Sequence, residues 1–172
     1  MPTSSDAVRS LFITGLKDAH ALENQALALM NRQIERLESY PDVLARMQQH
    51  KTETDGQILR VEEILSSLGE SHSMLKDAAL TMSGNMAALM HSVAGDEILK
   101  NSFANFAFEN FEAASYKSLI TMAEAGGFNA AVPLLQATLQ EELAMAAWLD
   151  QNLSNVTQRF MALRASGQQA SH

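Results

Sequence analysis

Residues 106–120 read FAFENFEAASYKSLI, a run in which Phe106, Ala113, Tyr116 and Ile120 recur at helical spacing while Glu109 and Glu112 break into the apolar stripe. Intervals of three, four and seven place those apolar side chains on one face of an α-helix. Carboxylates in such a face are out of place, because an ionised carboxylate left unpaired in a core is costly or changes its pKa. The same interruption recurs along the chain. The stripe Leu16, Ala19, Ala26, Met30, Ile34 and Leu37 takes Glu23 into its line. The stripe Leu44, Met47, Ile58, Val61, Leu65 and Leu68 has a gap filled by His50, Glu53, Thr54 and Gln57. A last stripe, Leu135, Leu139, Met145, Leu149 and Leu153, is interrupted by Glu141 and Glu142.

Four stripes predict four helices: about Ser5 to Glu38, Asp42 to Leu68, Asp96 to Ala125, and about Asn129 to Arg164. Composition agrees, with 48 Ala and Leu against 12 Val and Ile; the first pair favours helix and the second strand. Pro41 and Pro133 fall at helix starts, and Gly69 and Gly126-Gly127 at helix ends, where each residue type is tolerated. The first two helices are joined by a tight turn, as are the last two, so each pair forms an antiparallel hairpin. Between Gly69 and Asp96 lies a connection long enough to run from one end of a bundle to the other, containing the helix-like stretch Met74–Met90. The expected fold is all-α, a ferritin-like four-helix bundle with one long crossover containing a short extra helix. An up-down bundle with an added short helix is the alternative. A chain of 172 residues is expected to form one domain, 1–172, with a core over about 5–165 and a disordered polar tail at 166–172.

The 12 basic and 20 acidic residues leave a net charge of −8 without a Lys/Arg cluster, which argues against nucleic acid as partner. No apolar run approaches the ~18 residues that span a bilayer, so no membrane role is expected. The start, MPTSSDAVRS, lacks a secretory pattern, and a cytoplasmic protein is expected. Absence of Cys excludes a disulfide framework, an iron–sulfur cluster and thiolate metal sites.

The acidic interruptions lie at matching heights. Glu23 and Glu53 flank the turn near Ser39-Tyr40 at similar distances, within roughly one helical turn of level at ~1.5 Å per residue. Glu112 and Glu141 flank Gly126-Gly127 in the same way, with Glu109 one turn further. An internal echo reinforces the pattern: Ala21-Leu22-Glu23-Asn24 is similar to Ala107-Phe108-Glu109-Asn110. With few Lys or Arg on these faces, buried cations are the simplest partners. Two hairpins that each offer Glu from both helices can enclose a pair of metal ions, and oxygen-rich sites with one or two imidazoles suit iron or manganese. His50 precedes Glu53 by three residues and points the same way. His20 stands in the same relation to Glu23, capping the site or reaching solvent. Glu38, Glu62, Glu63, Glu70 and Glu124 read as ordinary surface charge.

Leu16-Lys17-Asp18 through Glu23, His50-Lys51-Thr52-Glu53-Thr54 with Gln57, Glu109-x-x-Glu112 followed by Tyr116, and Leu139-Gln140-Glu141-Glu142 together resemble the YciE/YciF family of ferritin-like proteins. The match runs in order from about Leu11 to Leu153. The resemblance implies a rubrerythrin-related bundle, a dinuclear iron-type centre, a homodimer and an association with bacterial stress responses. It implies Glu23, Glu53, Glu109, Glu112 and Glu141 or Glu142 as carboxylate ligands, with His50 as the imidazole. The chain departs from the pattern at Asn110, where the family often has His, and at Ala146, where it often has Asp. Helix two carries His-x-x-Glu rather than Glu-x-x-His.

Two classes of function follow. In the first, two metal ions, iron before manganese, support ferroxidase or peroxide-reducing chemistry on dioxygen or peroxide, with Tyr116 as a neighbouring electron or hydrogen-bond donor. In the second, the metal is structural or absent and the protein acts through its surface. Phe103, Phe106, Phe108 and Phe111 diverge around the third helix and cannot all face one core, leaving a pair for a partner chain or for the crossover segment.

Overall fold

The computed structural model describes residues 4–70 and 95–172. Four helices make up almost all of it: α1 (Ser4–Ile34), α2 (Pro41–Ser67), α3 (Glu97–Gly126) and α4 (Val132–Ala165). Pro41 opens α2, where a missing N–H costs nothing, and Gly127 closes α3 at φ 73°, a left-handed conformation that favours glycine. The expected helix boundaries hold to within a few residues. The short extra helix expected over Met74–Met90 lies outside the described residues.

The arrangement of the four helices is the expected bundle. α1 packs against α2 and α3, and α4 packs against α2 and α3. Cross-helix contacts give the directions. Gln33 bonds Asn105 while Glu23 bonds Tyr116, so α1 and α3 are antiparallel. Gln57 meets Glu142 while Arg60 meets Thr138, so α2 and α4 are antiparallel too. Arg9, near the start of α1, donates to the Leu68 carbonyl at 2.6 Å, and Arg36, just past its end, binds Glu97 at 2.7 Å. The chain therefore leaves α2 at one end of the bundle and re-enters at the other, as a long crossover requires.

Two apolar clusters fill the interior. One contains Phe12, Leu16, Val61, Leu65, Leu119 and Leu135; the other contains Met30, Tyr40, Met47, Phe108, Met145 and Leu149. α1 and α3 approach so closely that a Cβ added at Gly15 would come within 2.9 Å of the Leu119 side chain.

Residues 166–172, expected to be disordered, are laid across the end of the bundle. Tyr40 donates its hydroxyl to the Ala170 carbonyl at 2.6 Å, and Ala170 is buried. The Ile98 N–H, unpaired within its own helix because it lies in the first turn, finds the Ser171 carbonyl at 2.8 Å. Polar composition suggested fraying; unsatisfied donors at a helix start supply the reason for docking.

Candidate metal centre

Between the two apolar clusters lies a layer of polar side chains to which every helix contributes. α1 supplies Glu23, α2 His50, Thr54 and Gln57, α3 Glu109 and Glu112, and α4 Thr138 and Glu142, all buried. They converge because the stripe that each helix turns to the core is interrupted at the same height, and antiparallel packing aligns those heights.

The geometry ties the layer together. His50 Nε2 lies 3.0 Å from Glu109 Oε2, and its Nδ1 lies 2.9 Å from Glu53 Oε2. His50, Glu109 and Glu142 each offer a ligand atom within 4.8 Å of the others. Tyr116 donates its hydroxyl to Glu23 Oε1. The Gln57 amide donates to Glu142 Oε1 and, at 3.0 Å, to Glu141 Oε2. Glu23 Oε2, Glu112 Oε1 and Glu142 Oε2 are buried with no hydrogen-bond partner among the described residues.

Such oxygens sit badly with charge. Burial, then the neighbouring carboxylates of Glu109 and Glu23, pushes Glu142 up to about 10. Burial raises Glu23 to about 7 against the opposing effects of the Tyr116 hydroxyl and His50. Glu112 is held well above the ordinary carboxylate range by burial, then by Glu23 and Glu142. Burial also raises Tyr116, and the Glu23 carboxylate adds to it. For His50, burial disfavours the imidazolium, but hydrogen bonding and charge from Glu109, then Glu53, outweigh it and raise its pKa. A divalent cation would replace the protons that this layer otherwise needs, and binding would release them. Hard carboxylate oxygens with one imidazole are the donor set that iron and manganese accept. The residues present fit such an ion.

The sequence-derived candidates separate into two groups. Glu23, His50, Glu109, Glu112 and Glu142 meet in the buried layer, with Tyr116 against Glu23. Glu53 and Glu141 stand at its edges and are held by arginines. Arg46 lies 3.1 Å from Glu53, with Gln49 donating to the same carboxylate at 2.8 Å. Burial works against charge on Glu53, yet bonds from His50, Gln49 and Arg46 prevail and lower its pKa. Arg60 grips Glu141 at 2.6 and 3.0 Å and also donates to Thr138. A buried cation is the simplest partner expected on faces with few Lys or Arg; for these two carboxylates Arg46 and Arg60 are partners as well. Both arginines are on α2, flanking its polar gap, and that flanking position was the overlooked signal. His20 pairs with Glu62 at 3.0 Å, and Lys17 with Glu70 at 2.6 Å, so neither acidic residue is plain surface charge. Asn110 is exposed and donates back to the Phe106 carbonyl of its own helix.

Comparison with known proteins places the chain in a family. The family model DUF892, a domain of unknown function, matches residues 7–162. The chain belongs to the DUF892 family. This DUF892 protein is 29% identical over 161 residues to protein YciF of Escherichia coli (strain K12), covering 88% of this chain and 94% of that one. The resemblance carried by the four motifs therefore holds. Among solved structures, a Xanthomonas campestris pv. campestris protein is similar with a TM-score of 0.77 and 27% identity, covering 92% of this chain and 99% of that chain. The E. coli stress protein YciF matches with a TM-score of 0.68 and 26% identity, covering 90% of this chain and 99% of that chain. No helix among the described residues of this DUF892 protein is long and apolar enough to cross a membrane.

Proposed function

We propose that the buried layer is a carboxylate-rich dinuclear metal centre, with iron ahead of manganese, and that the protein works in stress protection as a redox protein. The observation that carries this reading is the set of buried carboxylate oxygens on Glu23, Glu112 and Glu142 without a partner among the described residues, beside His50 and Glu109. Burial and mutual repulsion keep adjacent acids protonated without metal, and a divalent cation would take the place of those protons. That E. coli YciF is a stress protein supports the physiological context.

In this reading Glu23, His50, Glu109, Glu112 and Glu142 hold the ions, and Glu53 can join them from the edge if it leaves Arg46. Bound iron would supply electron transfer between its ferrous and ferric states, with dioxygen or peroxide as oxidant. The protein's own residues do the rest. The two apolar clusters exclude bulk water from above and below. Gln57 fixes the orientation of the Glu142 carboxylate through its amide N–H. Tyr116 holds a hydroxyl proton on Glu23, and burial keeps that phenol protonated. Arg60 holds Glu141 at the edge of the layer.

The test is elemental analysis of protein purified without added metal, followed by anaerobic Fe(II) titration and admission of oxygen or peroxide. The expected result is about two irons per chain with rapid oxidation, both lost in Glu142→Ala. Failure to take up Fe(II), Mn(II) or Co(II) would end the reading.

One observation favours an added surface role. Phe103, Phe106 and Phe111 are 53%, 40% and 54% exposed, while Phe108 is buried. We therefore propose a homodimer formed through this outer face of α3. A non-enzymatic protein that acts through that face, with structural metal or none, is the alternative.

A further inference from the structure

Every threonine but one inside the described helices has a hydrogen-bond partner. Thr138 accepts from Arg60 at 2.6 Å. Thr14, Thr52, Thr121 and Thr157 each donate to the carbonyl four residues back in their own helix, at 2.8 to 3.2 Å. Thr54 is the exception. Its side chain is wholly buried, yet its hydroxyl has no partner among the described residues. A buried hydroxyl left in that state costs about 1–3 kcal/mol. The Gln57 carbonyl oxygen is in the same position, buried and unpartnered, although the amide nitrogen beside it is fully engaged.

The helical register says where these groups point. His50, Thr54 and Gln57 are spaced by four and three residues and share one face of α2. His50 touches Glu109 on one side and Gln57 touches Glu142 on the other, so Thr54 lies between them at the height of the carboxylates. Among the described residues, neither the Thr54 hydroxyl nor the Gln57 carbonyl oxygen bonds to a carboxylate. A hydroxyl that donates and an amide oxygen that accepts suit an uncharged molecule able to do both.

We propose that Thr54 and Gln57 form a hydrogen-bonding subsite for a small oxygen ligand, occupied by water at rest and open to a molecule of hydrogen peroxide size. Thr54 donates to the ligand oxygen, and the ligand O–H donates to Gln57 Oε1. Neither residue is a metal ligand in this assignment; both act on what binds beside the metal. The inference rests on the metal-centre reading, and its test separates the two.

The probe is Co(II)-loaded protein, followed by visible absorption while azide, which accepts, and hydroxylamine, which accepts and donates, are titrated. Thr54→Val removes the donor at constant shape and should leave Co(II) stoichiometry unchanged while weakening both probes about tenfold, one hydrogen bond's worth. Thr54→Ser should restore both. Gln57→Met also removes the amide that steadies Glu142, so its Co(II) spectrum without probe is compared with the parent's first. With that spectrum unchanged, it should weaken hydroxylamine more than azide. Equal probe affinities in the parent and Thr54→Val would overturn the subsite while leaving the metal centre intact. Loss of Co(II) uptake in Thr54→Val would also overturn it, by assigning Thr54 to the fold. A parent that takes up no Co(II) would overturn both.

Discussion

Glutamine in place of Glu142 should make the metal-free protein more stable, an unusual outcome for a change at a fully buried position. Glu142 is wholly buried, and its pKa rises from an ordinary 4.5 to about 10. A carboxyl whose folded pKa lies above its unfolded value must keep or take up a proton to fold. No penalty exists below pH 4.5; it grows with every pH step above that, until the folded pKa is passed. At pH 7 this amounts to about 3 kcal/mol for Glu142. Glu23, raised to about 7, adds a penalty that grows from pH 4.5 and levels off near neutrality, and His50, also raised, pulls the same way as pH increases. The metal-free protein should therefore melt at a higher temperature at pH 5 than at pH 8. Below pH 4.5 the lowered pKa of Glu53 reverses the trend, because protonation costs it its bonds to His50, Gln49 and Arg46. Glutamine keeps the shape of the protonated acid and never ionises. If it recovers half of the penalty at pH 7, the melting temperature should rise by roughly 4–6 °C. The assay is thermal denaturation of chelator-treated parent and Glu142→Gln at pH 5, 7 and 8, repeated with Fe(II) or Mn(II) under anaerobic conditions. Metal should reverse the order by stabilising the parent alone. A Glu142→Gln protein that melts below the metal-free parent at pH 8, with the parent's midpoint flat between pH 5 and 8, would refute the reasoning.

Three further outcomes are expected. Arg60→Ala should cost about 1–3 kcal/mol in denaturant unfolding, by leaving the half-buried Glu141 without its guanidinium, while metal stoichiometry stays that of the parent; lost metal binding would make Glu141 more than an edge residue. Tyr40→Phe should cost about 1 kcal/mol and speed hydrogen exchange at the Ile98 amide, since the hydroxyl anchors Ala170 beside the Ser171 carbonyl that this amide uses; an unchanged exchange rate would mean the segment is held elsewhere. Phe106→Glu should convert a dimer to a monomer in sedimentation or light scattering without lowering helix content, and a parent already monomeric would remove the proposed interface.

Much of the bundle was legible in the chain before any contact was known. Stripes at intervals of three and four, Pro41 and Gly127 at helix ends and a connection too long for a turn are local or one-dimensional features, and helical periodicity converts them directly into elements and topology. The matching heights of Glu23 with Glu53 and of Glu112 with Glu141 were readable for the same reason, because rise per residue is constant along a helix. Adjacent residues are another matter. Glu141 and Glu142 differ by 100° of rotation, and the stripe of α4 is wide enough to admit either. Packing against α2 decided which of them is buried: Glu142 is wholly buried, whereas Glu141 is half-buried and held by Arg60, and Gln57 reaches both. Arg46 and Arg60 show the same limit, since a long side chain on the flank of a stripe can bend to solvent or to a neighbouring helix with no change in its sequence spacing. The docking of residues 166–172 depended on the Ile98 N–H at the start of α3 and on Ser39 and Tyr40 before α2, the Tyr40–Ala170 bond spanning 130 positions of the chain. Period and punctuation act within a helix and so determined the four rods and the tier where acids gather; the choice of partner for each acid is a contact between rods, and only the assembled tertiary structure could make it.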